Sequence, residues 1–212
     1  MSAPFDIRYE LEGWEIFVAR LTVTPGHDAE LADLRARVAE RVRDRLDLKT
    51  LATHPTVSAL RRLFRAAGTD PTRYRPSSEA LLRRLLKNQE MPAISPLVDL
   101  NNCLSAELAV PCCVMAEGTF APPLVLRAGR EGEAYDSLRG PFKLTGRPVL
   151  VDDDGPLDAP ITGSQRVKVQ PDSPGAWLAA YLPAGVVSIA EARQVLDELL
   201  RQAPVATVAV DL

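Results

Sequence analysis

Histidine and cysteine are scarce in this 212-residue sequence, and that scarcity removes several common chemistries first. Two histidines, His27 and His54, and three cysteines, Cys103, Cys112 and Cys113, give no ligand set with the spacing of a usual zinc site. The odd cysteine count supports neither a paired disulfide framework nor a repeated Cys-x-x-Cys. No histidine lies near Ser164, Cys112 or Cys113 in sequence, so a Ser-His or Cys-His nucleophile pair has few ways to form and covalent catalysis is not expected. The glycine patterns of phosphate loops and dinucleotide sites are missing as well, and no cofactor or metal is expected. The opening MSAPFDIRYELEGWEIF has no basic segment leading into an apolar core, and no apolar run is long enough to span a bilayer. Neither a signal peptide nor a membrane partner is expected, and the reading is of a cytoplasmic protein.

What is present fits a globular chain. At 46% hydrophobic and 25% charged residues, it is long enough to bury a sizeable core. A net charge of −3 argues against a protein that coats nucleic acid broadly, and no DNA partner is expected. A local basic excess exists nonetheless. Arg61, Arg62, Arg65, Arg73, Arg75, Arg83, Arg84 and Lys87 stand against only Asp70 and Glu79, an arrangement that suits either phosphates or a solvated helix face.

The stretch from Gly68 to Asn102 carries the densest set of special residues. In GTDPTRYRPSSEALLRRLLKN, prolines after Asp70 and Arg75 push both toward extended geometry, so a fixed loop is expected. A helix follows, with Ser77 or Ser78 as cap, Glu79 in its first turn and Leu81, Leu82, Leu85 and Leu86 as its apolar stripe. Arg73, Tyr74 and Arg75 are thereby displayed before a helix start, a suitable place to hold a phosphate or carboxylate.

Elsewhere, Glu15–Thr24 reads as a strand ending at Pro25-Gly26, with Ile7–Tyr9 as its hairpin partner. Glu30–Lys49 has the spacing of an amphipathic helix, and Pro55 opens a second that Gly68 stops. Pro96–Leu108 predicts a helix carrying Asp99 and Asn102 three apart, either for a pocket or as a cap and a backbone partner. Beyond Pro111 the chain turns β-rich: Cys112–Met115, Leu124–Arg127, Pro148–Val151, Arg166–Val169 and Ala176–Leu182 are expected strands. Ser188 and Glu191 form a capping box for a last helix, and Ala206–Val210 a last strand. The class is α+β, with a central, mostly antiparallel sheet flanked by helices. Residues 1–212 are expected to form one domain, with an N-terminal part (1–67) packed on a β-rich region (68–212). Adjacent Cys112 and Cys113 in an apolar strand read as small buried hydrophobes.

The order DPTRYRPSSEALLRRLL, SPLVDLNN, LRAGREGEAYDSLRG, VLVDDDGP and ITGSQRVKV resembles the B3/B4 domain, the editing region of the phenylalanyl-tRNA synthetase β-subunit, and most of all its freestanding form. The resemblance runs from roughly Trp14 to the end and is clearest between Pro96 and Leu182. It implies an α+β fold and a pocket that, in the synthetase, hydrolyses tyrosine wrongly attached to the tRNA for phenylalanine. Asp99 and Asn102 fall on the family's Val-Asp-x-x-Asn motif, Arg127, Glu131, Gly132 and Glu133 on its Arg…Gly-Glu stretch, and Thr162–Arg166 on the Gly-rich segment bordering the pocket. Cys113 stands where the synthetase domain has a histidine, and Gln165 where it has a glutamate. A glutamine is no carboxylate base, so hydrolysis would rest on positioned water and the substrate's ribose hydroxyl.

Two functions follow from the resemblance. One is a trans-editing hydrolase for misacylated tRNA, with Asn102, Thr162, Ser164 and Gln165 at the reacting ester, Asp99, Cys113 and Arg127 reading the amino acid, and Arg73, Arg75 and Lys87 on RNA phosphates. The other is a binding module that holds an amino acid or the tRNA 3′ end without turnover. A homodimer is left open by the sequence.

Overall fold

The structure, a computed structural model, describes residues 5–138 and 140–209. Its elements run β1 (Ile7–Tyr9), β2 (Trp14–Val23), α1 (Asp28–Arg45), α2 (Pro55–Ala66), α3 (Ser77–Leu85), α4 (Pro96–Leu108), β3 (Cys112–Ala116), β4 (Leu124–Ala128) and β5 (Ala134–Ser137). They continue as β6 (Gly140–Lys143), β7 (Pro148–Asp152), β8 (Gly155–Ala159), β9 (Thr162–Gly163), β10 (Gly175–Pro183), α5 (Ile189–Gln202) and β11 (Ala206–Val208). The fold is α+β, and its sheets are antiparallel apart from one strand pair.

The strands divide between two main sheets. One, in the order β11-β2-β10-β3, is antiparallel throughout; the other runs β1-β4-β7-β8-β9; and β5 with β6 makes a separate ribbon. The sequence of β2 explains the layering. Phe17, Ala19 and Leu21 point into one apolar cluster with α1, α4 and α5, while Trp14 and Ile16 join a second with Leu124, Leu126, Leu150 and Leu157 of the other sheet. Both faces of β2 are thus buried, which is why WEIFVARLTV reads as nearly continuous apolar sequence. The same alternation runs along β10, with Leu178, Ala180 and Leu182 toward the helices and Ala179 and Tyr181 toward the second sheet. The layers are therefore helices, sheet, sheet.

Several local expectations differ from the structure. Ile7–Tyr9 pairs in parallel with β4 instead of forming a hairpin with β2. Its three residues are enough for an edge strand, and the loop after Tyr9 carries β2 away into the other sheet. Arg166–Val169 is a loop, although Val167 and Val169 are buried; burial of alternate side chains from an irregular segment imitates a strand pattern. Helix α1 ends at Arg45, four residues before Lys49. Neither Ser77 nor Ser78 caps α3, since Pro76 occupies that position and the Ser77 amide donates to the Pro160 carbonyl at 2.9 Å. Ser188 does cap α5, accepting from the Glu191 amide at 3.1 Å. Of the expected last strand, Val210 lies outside the described residues, as does Arg139 of the LRAGREGEAYDSLRG motif.

Candidate functional site

The interior between the two sheets holds one carboxylate that apolar packing does not explain. Asp158 sits on β8, only 2% exposed, and its Oδ2 accepts the Tyr181 hydroxyl at 2.7 Å. The Cys113 thiol and the Ala159 amide are its further hydrogen-bond partners. All three donors are neutral. Burial raises the Asp158 pKa to about 7, and the three hydrogen bonds oppose that rise without cancelling it. Burial, reinforced by the nearby Asp158 charge, likewise pushes the Cys113 thiol and the Tyr181 phenol well above their ordinary values. Cys113 is therefore a thiol and not a thiolate nucleophile.

Across the β8–β9 turn, Asp158 faces Gly163 in register, and Ala159 faces Thr162. A Cβ placed on Gly163 would stand 3.7 Å from Asp158 Oδ1 and crowd a methyl of Leu138 at 3.2 Å, so the bare glycine leaves only a narrow slot that the Leu138 side chain closes. Leu138, 51% exposed at the tip of the β5–β6 ribbon, covers that slot. The ribbon is pinned there by the Leu138 amide on the Gly163 carbonyl at 3.0 Å, by the Gln165 amide on the Asp136 carbonyl at 2.8 Å, and by the Tyr135 hydroxyl on the Thr162 carbonyl at 2.6 Å. Tyr135 is held protonated by burial and by the Asp158 charge.

The four residues expected at the reacting ester separate. Thr162 is half-buried beside the slot, and Gln165 is exposed, with its Nε2 3.5 Å from the Ser137 carbonyl. Ser164, 2% exposed, uses its hydroxyl to accept the Arg166 amide at 3.0 Å and so holds the turn. Asn102 lies on α4, beyond the sheet that separates the helices from Asp158.

Asp99 is on that helical side too. It is 2% exposed, receives the Ile94 amide at 2.8 Å and binds Arg35 of α1, so it fastens α4 to α1. Burial lifts its pKa against those two favourable contacts. Arg127 places both guanidinium arms on Glu133, at 2.7 and 2.8 Å, and a third bond on the Ala128 carbonyl at 3.1 Å. This pairing raises the Arg127 pKa and lowers that of Glu133. The Arg…Gly-Glu stretch is thereby a clamp across the loop after β4. On β3, alternation sends Cys112 toward the helices and Cys113 toward Asp158.

The basic segment is organised by Glu79. That carboxylate is fully buried and binds Arg61 and Arg83, each at 2.9 Å, with Arg75 at 3.7 Å. Arg73 is exposed and lies over the ring of Tyr74, which also stacks under Arg147 and meets Phe142 of the ribbon. Through Ser77 and Pro160, this loop abuts the β8–β9 turn. Lys87 is exposed beyond the other end of α3, roughly 13 Å along the helix axis.

A scan against family models matches residues 59–197 to the B3/4 domain. The chain belongs to the B3/4 domain family. Among solved structures, this B3/4 chain is similar to an N-terminal fragment of the phenylalanyl-tRNA synthetase β-subunit from Pyrococcus horikoshii, with a TM-score of 0.47 and 11% identity, over 98% of this chain and 52% of that one. It thus spans about half the length of that fragment. No curated protein matches its sequence at a significant level. No described helix is long and apolar enough to cross a membrane, and no group of acidic, histidine or cysteine side chains among the described residues could hold a metal ion.

Asp158, Tyr181 and Tyr135 were not singled out from sequence. The available signal was an acid at an inward position of an otherwise apolar strand, GPLDA, but three aspartates just before it, Asp152, Asp153 and Asp154, read together as a turn. A separate cleft on the helical face, lined by Arg41, Glu107, Val195 and Glu198, contains none of the expected site residues.

Proposed function

We propose that this B3/4 chain is a trans-acting editing hydrolase that removes a wrong amino acid from tRNA. The observation that carries the reading is the meeting of Cys113 with the Thr162–Gln165 segment around Asp158, because both fall on the family's pocket motifs. Water adds to the ester carbonyl, the bond to the ribose oxygen breaks, and that oxygen takes a proton as the amino acid leaves. An aminoacyl ester is already activated, so orienting water and supporting the developing oxyanion suffice. The Thr162 hydroxyl and Gln165 amide are the groups at the rim for that work, with Ser164 shaping the turn between them. Asn102, Asp99 and Arg127 support the fold in this reading. Arg73, Arg75 and Lys87 contact the tRNA backbone, and the protein works in the cytoplasm. The test is a panel of aminoacyl-tRNAs, each incubated with and without protein. Faster loss of at least one amino acid is expected. Binding without any acceleration would favour the holding module, since no carboxylate base stands at Gln165.

A further inference from the structure

The described part of the molecule has four buried carboxylates, and three of them are matched by arginine: Glu79 by Arg61 and Arg83, Asp99 by Arg35, and Asp152 by Arg166. Asp158 is the exception. Among the described residues no lysine, arginine or histidine pairs with it, and the groups that face it are the Cys113 thiol from β3, the Tyr181 hydroxyl from β10 and Tyr135 from β5. A carboxylate buried without a cation is costly, so Asp158 takes up a proton as pH falls below about 7, and carboxylates perturbed in this way cluster at functional sites. The surroundings also select the sign of a ligand. The Thr162 and Gly163 carbonyls, which accept the Tyr135 hydroxyl and the Leu138 amide, are the neighbouring backbone acceptors, and no cationic side chain stands among them. A compact cation with several N–H donors suits such surroundings.

We propose that Asp158 receives the α-ammonium group of an aminoacyl ester, and that the Gly163 slot beneath Leu138 is its subsite. This rests on the editing reading for its substrate class and adds a requirement of its own: the amino group must be free, so an N-acylated aminoacyl end is excluded. Leu138 must move outward on entry, and as an exposed side chain at a ribbon tip it can do so without opening the core.

The probes are 3′-amino-3′-deoxyadenosine amides of several amino acids, which cannot hydrolyse, each paired with its N-acetyl form. Binding to the intact chain is measured by calorimetry between pH 5.5 and 8.5. At least one free-amine probe is expected to bind, its N-acetyl partner at least about tenfold more weakly, as is usual when a buried charge loses its mate. Its affinity should rise from pH 5.5 toward about 7 as Asp158 ionises, and fall again above about 8 as the probe's own α-ammonium loses its proton. Asp158→Asn should weaken the free-amine probe at least about tenfold and remove the rise below pH 7 while leaving N-acetyl binding unchanged. Equal affinity of free and acetylated probes in wild type, which needs no variant, overturns the Asp158 assignment and leaves the editing reading standing. No binding of any probe overturns both.

Discussion

At the residue scale, Asp158 makes the sharpest statement about stability. Its folded-state pKa is about 7, whereas an unfolded aspartate titrates near 3.9. Between those values the folded chain keeps a proton that the unfolded chain has lost, so this group's contribution is complete below about pH 4 and fades as pH rises through about 7. Asp158→Asn removes the effect. The variant should lose less melting temperature than wild type between pH 5 and pH 8, and at pH 8 should melt no lower; a variant several degrees less stable at pH 8 would contradict this. Arg127 gives the opposite kind of test. Its three hydrogen bonds, two of them to Glu133, are structural, so Glu133→Gln should destabilise by about 3 kcal/mol, as breaking a largely buried pair does, and flatten no ligand selectivity. An unchanged melting temperature with lost substrate discrimination would return Arg127 to the pocket.

At the scale of elements, the loop before α3 separates charge that holds the fold from charge that stays exposed. Glu79 keeps Arg61 and Arg83 if Arg75 is removed, and Arg73 only stacks on Tyr74. Replacing Arg73 and Arg75 by glutamine should therefore leave melting nearly unchanged, weaken tRNA binding and reduce its salt slope by about one for each lost phosphate contact. An identical slope in folded wild type and variant would remove both from the RNA surface. These elements also show what sequence can and cannot carry. Helices α2, α4 and α5 and strands β2, β3, β4, β7 and β10 were legible because their apolar spacing matches burial. Strands β5, β6, β8 and β9 were not, being short and rich in Gly, Pro and Asp, so turn signals masked them. Of the residues around Asp158, Cys113 and the Thr162 segment were named through motifs. Asp158 was not, because its meaning arises only when β8 is laid against β3 and β10.

At the scale of the whole molecule, the N-terminal part and the β-rich part share a sheet. Strand β2 lies between β11 and β10 and supplies Ile16, Phe17 and Leu21 to both apolar clusters, so we expect residues 68–212 alone to lack a cooperative unfolding transition. A soluble, cooperatively melting fragment would show two independent units instead. The central claim, that the chain deacylates misacylated tRNA at a site bordered by Gly163 and Asp158, is tested most directly by single-turnover hydrolysis of a misacylated tRNA with wild type and Gly163→Val. Gly163 has no left-handed φ and lies in a short edge strand, so valine strains no backbone there, while its side chain, starting from a Cβ 3.2 Å from Leu138 and 3.7 Å from Asp158 Oδ1, crowds both. The account predicts that wild type releases the amino acid faster than buffer and that the folded variant does not; a wild type no faster than buffer, or a variant as fast as wild type, would contradict it.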